Sequence, residues 1–155
     1  MADVSDAYTL ASKTFRAALT TVLRRHGLHL GQNLVLERLA DTDGQTPGEL
    51  ATAIHVTTPT IVKMATRMAS AGLLVRRRDT TDNRLVRLYL TPEGRALVGP
   101  LRADLDELEA ELVTGLSAAE RATLLELMAR VTGNARALLD AWAVVPEEHV
   151  GHEDG

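Results

Sequence analysis

Cysteine is absent from the 155 residues, which excludes disulfides, thiolate metal sites and any thiol-based sensing of oxidants. Aromatic residues are scarce as well: one Trp, two Tyr and one Phe. Since 45% of the chain is still apolar, its core has to be built from Leu, Ala, Val, Ile and Met. No apolar run approaches the roughly 18 residues of a membrane span, and no apolar stretch follows a basic start near Met1. A soluble, cytoplasmic protein of one ordinary domain, with no membrane partner, is expected. Lysine is confined to Lys13 and Lys63 among 17 cations, a bias to which no functional weight attaches. Catalytic constellations are missing too: there is no serine elbow, phosphate-binding glycine loop or HExxH. Glu107, Glu109 and Glu111 fall on alternate positions of a helix and point apart. His26 and His29 are separated by helix-breaking Gly27, and with Glu37 and His55 they complete no metal-ligand spacing. No catalytic residue, cofactor or metal is expected.

What the chain does have is an uneven distribution of charge. Its net charge is −4, yet residues 57–95 hold Lys63, Arg67, Arg76, Arg77, Arg78, Arg84, Arg87 and Arg95 against only Asp79, Asp82 and Glu93. Residues 1–56 carry five basic and six acidic side chains, and residues 96–155 carry four and twelve. An acidic molecule with one basic segment has a local footprint for a polyanion, which the overall charge conceals.

Apolar residues recur at helical steps over 6–26 and from about Gly31 to Ala40. Thr46-Pro47-Gly48-Glu49 is a capping box that opens a short helix to Ile54. Thr57 or Thr58 caps the next helix, which turns Ile61, Met64, Ala65 and Met68 inward and leaves Thr58, Thr60, Val62, Lys63, Thr66, Arg67 and Ser70 outside. Two helices joined by a three-residue turn, the second with a polar outer face, make a helix-turn-helix. Leu73–Arg78 and Leu85–Leu90 are β-prone runs on either side of the polar loop DTTDNR. A helix followed by a basic hairpin suits adjacent grooves of double-stranded DNA, the helix in the major groove and the loop tip in the minor one.

Thr91-Pro92-Glu93 and Ser117-Ala118-Ala119-Glu120 open two longer helices, the first of which Gly99-Pro100 should interrupt and kink. These two and the first helix carry more apolar surface than a small winged domain covers, so a homodimer is expected. The fold class is therefore mainly α with a small β-hairpin wing. A helical dimerisation region at 1–30 and 96–145 flanks a winged helix-turn-helix at 31–95, followed by a flexible tail at 146–155.

Candidate DNA-binding residues follow from placement. Thr57, Thr58, Thr60, Val62, Lys63 and Arg67 lie on the outer face or the start of the recognition helix, where hydroxyls, cations and a methyl-bearing side chain meet phosphates and base edges. Arg84 at the loop tip suits a narrow minor groove, and Asp82 two residues earlier orients it or caps the turn. Arg77 faces opposite to Arg76 and Arg78 on a strand, so only one side of that run meets phosphates. Arg16, His26, His29 and Gln32 are candidates for the polar lining of an organic-ligand site.

Taken together, GLHLGQNLVLERLA, TPGELATAI, and the series Gly72-Leu73, Arg76, Asp82, Arg84, Leu88, Leu90, Thr91 and Gly94 resemble the MarR (multiple antibiotic resistance regulator) family over about residues 8–140. The resemblance implies a winged helix-turn-helix homodimer that represses transcription from an inverted-repeat operator and is released by a small phenolic or aromatic effector. Asn83 stands where many relatives have a second arginine, and the lack of cysteine sets the chain apart from the peroxide-sensing branch. The competing expectation is a helical interaction protein or small-molecule carrier that keeps the wing without binding an operator.

Overall fold

Short polar side chains and a few glycines set where the elements start and stop. In the computed structural model, which describes residues 3–143, the order is α1 (Val4–Arg25), α2 (Gln32–Asp41), α3 (Pro47–Ala53), α4 (Thr58–Ser70), β1 (Leu74–Arg78), β2 (Val86–Leu90), α5 (Pro92–Leu112) and α6 (Ala118–Ala143). The expected tail at 146–155 lies outside the described residues. Two compact units divide after Leu112, the first holding α1 to α5 and the second α6.

In the first unit, α3 opens with the capping box read from the sequence. The Thr46 hydroxyl accepts from the Glu49 N–H at 3.2 Å, and the Glu49 carboxylate accepts from the Thr46 N–H at 2.7 Å. Helix α4 starts from Thr57, whose hydroxyl lies 2.8 Å from that of Thr60. Between the two helices His55 adopts φ +57°, a left-handed conformation unusual for a residue with a Cβ. Ile61, Ala65 and Met68 of α4 pack with Leu36 and Leu39 of α2, Leu50 of α3 and Leu74 and Leu88 of the strands, all buried.

The turn from α4 into β1 and the turn from β2 into α5 are built against each other. Gly72 takes φ +74°, which lets the Leu73 N–H reach back to the Met68 carbonyl at 2.9 Å and close α4. Thr91 then donates its hydroxyl to the Gly72 carbonyl at 2.6 Å and its N–H to the Leu73 carbonyl at 3.1 Å, while its hydroxyl accepts from the Gly94 N–H at 3.0 Å. A Cβ on Gly94 would sit 2.1 Å from the Leu73 carbonyl oxygen, so only glycine permits this approach.

The wing is an antiparallel pair in the register Leu74↔Leu90 to Arg78↔Val86. A single bridge, Gln45↔Leu88, lays the α2–α3 loop along the outer edge of β2. The expected interruption of α5 is absent: the helix runs as one element through Gly99-Pro100. Pro100 deprives the Ala96 carbonyl of its helical donor, but Ala96, Gly99 and Pro100 are all exposed, so water can satisfy that oxygen.

In the second unit, Ser117 and Glu120 form the other expected capping box, with the Ser117 N–H donating to the Glu120 carboxylate at 2.8 Å. The apolar stripe of α6 is exposed, with Leu125 at 70% and Trp142 at 66%.

Candidate nucleic-acid interface

Helix α4 presents a polar face because its apolar residues fall on the opposite side. Thr57, Thr58, Val62, Lys63, Thr66 and Arg67 are exposed and Thr60 is half-buried. The first turn of α4 carries unpaired N–H groups and no acidic residue, which favours an approaching anion.

Beyond this helix the hairpin tip holds Arg84 with its side chain 90% exposed. Asp82 fixes it. One carboxylate oxygen accepts from the Arg84 N–H at 3.0 Å and from Nε at 3.1 Å, and the other accepts from the terminal nitrogen at 3.3 Å. The Arg84 side chain, then its backbone N–H, hold the Asp82 carboxyl below the usual carboxylate range.

The base of the loop is organised by Asp79, which sequence reasoning left as a mere charge. Its buried carboxylate accepts from the Thr81 hydroxyl at 2.6 Å, the Thr81 N–H at 2.8 Å, the Asp82 N–H at 2.9 Å and the Arg87 guanidinium. The Thr81 hydroxyl, then Arg87 and the two N–H groups, hold this carboxyl far below its ordinary value. Arg87 also donates to the Gly44 carbonyl at 2.9 Å and lies 3.7 Å from Glu49. Nearby, Asp43 accepts from the Leu90 N–H at 3.0 Å and pairs with Arg95. Arg87 and Arg95 thus tie the wing and the start of α5 to the α2–α3 loop. The one available signal was an acid directly after three strand arginines; the hairpin places it opposite Leu85, two residues before Arg87 on the returning strand.

Arg77 lies with its guanidinium 5.3 Å from the centre of the Tyr89 ring. Arg76, one residue earlier, reaches instead to α4, so the expected alternation across the strand holds.

A model described as the MarR family matches residues 28–86, which run from the residue after Gly27 to the start of β2. A Thauera aromatica protein named as a transcriptional regulatory protein for the hcr operon is 30% identical over 117 residues, covering 76% of this chain and 70% of that protein. The chain belongs to the MarR family. Among solved structures, a MarR mutant from E. coli complexed with operator DNA superposes with a TM-score of 0.75 at 26% identity, covering 83% of this chain and 92% of that one. BpsR of Bordetella bronchiseptica, studied for regulation of its DNA binding by 6-hydroxynicotinic acid, gives 0.76 at 25% identity, covering 84% and 93%. The chain is a winged-helix transcriptional regulator, and the family signature acquires physical content in it. Gly72, Leu73, Thr91 and Gly94 form one close-packed junction between turns, while Asp82 and Arg84 form the braced tip.

The candidate ligand residues of this MarR-family chain do not form one cluster. His26 bonds Asp104 of α5 through Nε2 at 2.9 Å, with its side chain 12% exposed. Gln32 is buried and accepts from the His29 N–H at 2.9 Å. Arg16 lies ten residues up α1, about 15 Å along the axis from His26, beside a shallow groove lined by Tyr8, Thr9, Ser12 and Lys13. Burial pushes the Glu37 carboxyl on α2 up, opposed by Arg102 and reinforced by Asp41 and Asp106. Among the described residues no group of histidines and acids has metal-holding geometry, and no helix is long and apolar enough to cross a membrane.

Proposed function

We propose that the chain acts as a homodimeric, ligand-responsive repressor that binds an inverted-repeat operator. Helix α4 of each subunit lies in a major groove, with Thr57, Thr58, Thr60, Val62, Lys63 and Arg67 toward phosphates and base edges. Arg84 of each wing enters the neighbouring minor groove. The observation that carries this reading is the exposed guanidinium of Arg84, braced by Asp82 on the same basic segment as the polar face of α4. Selection of bound duplexes from a random pool tests it. The pool should converge on an inverted repeat with half-site centres about 10 base pairs apart. A promoter carrying that site should then be transcribed less when the protein is added. An unenriched pool, or an asymmetric single site, refutes the dimeric operator reading.

The exposed apolar stripe on α6 supports dimerisation, together with Tyr8, Leu10 and Phe15 on α1. Effector control draws support from BpsR and from the half-buried His26, which meets Asp104 of α5, with His29 and Gln32 following in the same turn region. Arg16 is too far along α1 for one small phenolic or aromatic molecule to touch both it and His26. A ligand relieves repression only if it binds unequally to the two spacings of the recognition helices.

A further inference from the structure

Arg76 stands in the middle of β1, opposite Leu88, and sends its guanidinium across to α4. One terminal nitrogen donates to the Val62 carbonyl at 3.2 Å and also bonds the Thr66 hydroxyl. That hydroxyl in turn donates to the same Val62 carbonyl at 2.8 Å. The three groups close a ring on the exposed side of the helix, and both hydrogens of the arginine nitrogen are committed to it. Around them lies a cleft of about 340 Å³ between helix and wing, lined by Val62, Ala65, Val86 and Leu88 together with Pro47 and the three arginines of β1. The core beneath, where Ile61, Ala65 and Met68 meet Leu74 and Leu88, restricts the angle through shape, but the open cleft leaves the outer edges of helix and wing without close packing. There a charge-assisted hydrogen bond sets the angle.

We infer that Arg76 is a positioning residue that fixes the angle between recognition helix and wing, and so determines operator discrimination rather than general affinity for duplex DNA. This rests on the reading of α4 and the Arg84 tip as the two groove-binding elements. With the angle held, base edges and minor groove are met in one register. With it loosened, either element still binds phosphates, but the two no longer require the same sequence beneath them.

The full chain and its variants Arg76→Met, Arg76→Lys, Thr66→Val and Arg76→Met/Thr66→Val are compared on the duplex that the wild type selects and on a scrambled duplex of equal length, over a salt series. Each variant should lose about tenfold in the ratio of the two affinities, comparable to one good base contact. The double variant should lose no more than either single one, since both members act through one ring. The dependence of log affinity on log salt should be unchanged in Arg76→Met. A slope shallower by about 0.9 for each arginine removed would make Arg76 a phosphate ligand and overturn the inference. So would additive losses, or full discrimination in Arg76→Lys, which keeps the charge without the planar fork. Thermal melts report folding, and Thr66→Val, which removes no charge and little volume, carries the test if Arg76→Met does not fold. Full discrimination by the wild type and by every variant sinks the positioning role alone, whereas a wild type without discrimination sinks the operator reading together with it.

Discussion

Asp82 places a negative charge on a loop proposed to meet a polyanion, and electrostatics alone would favour its removal. Its three bonds to Arg84 argue the opposite. A guanidinium held in one orientation gives up less side-chain entropy on entering a groove. Asp82→Ala should therefore weaken operator binding about threefold to tenfold, read in a titration against labelled duplex. Tighter binding would show that the carboxylate only repels. Asp79 makes a different case. Its carboxyl is held low by Thr81, Arg87 and two N–H groups, so the folded chain takes up this proton less readily than the unfolded chain, whose Asp titrates near about 4. The stability it contributes is fully present above that value and is lost as the pH falls below it. Asp79→Asn should thus melt a few degrees lower near neutrality. It should also show a smaller fall in melting temperature than the wild type between about pH 6 and about pH 3.

At the scale of elements, what was legible in the chain was what is local. Thr46 to Glu49 and Ser117 to Glu120 announce helix starts because the bonds they make span only three residues. Gly99-Pro100 is just as local a signal, yet its effect depends on whether the abandoned carbonyl meets water or core, which no window of sequence reveals. The arginines were the least legible. Arg76, Arg87 and Arg95 find their acceptors on α4, at the base of the wing loop and in the α2–α3 loop, and the fold alone brings these together. Gly94 belongs with them, since the sequence marks it only as part of a pattern. The carbonyl 2.1 Å from its absent Cβ predicts that Gly94→Ala pushes α5 off the Gly72–Leu73 turn. A loss of roughly 3 kcal/mol is expected in denaturant melts, since backbone cannot yield as a side-chain tip does. A near-neutral outcome would mean that the junction is looser than described.

For the whole molecule, the charge count of the basic segment overstates what is available to DNA. Arg76, Arg87 and Arg95 are engaged internally, Arg77 rests on Tyr89, and Arg84, paired with Asp82, is proposed to enter the minor groove rather than to meet a phosphate, whereas Lys63, Arg67 and Arg78 have no such bond among the described residues. Three such cations in each subunit of the proposed dimer predict a slope of about −5 for log affinity against log salt. Were all eight in each subunit spent on phosphates, the slope would be near −14. A measured value close to the steeper figure would mean that the internal bonds open on binding.

The bare stripe on α6 makes the quantity of protein a variable of its own behaviour. In the proposed homodimer a second copy covers Leu125, Leu139 and Trp142, and dilution would separate the two DNA-reading halves. Occupancy of the operator should then rise with roughly the square of subunit concentration in dilute solution. In a cell, the number of copies made would then set the threshold at which such a site fills.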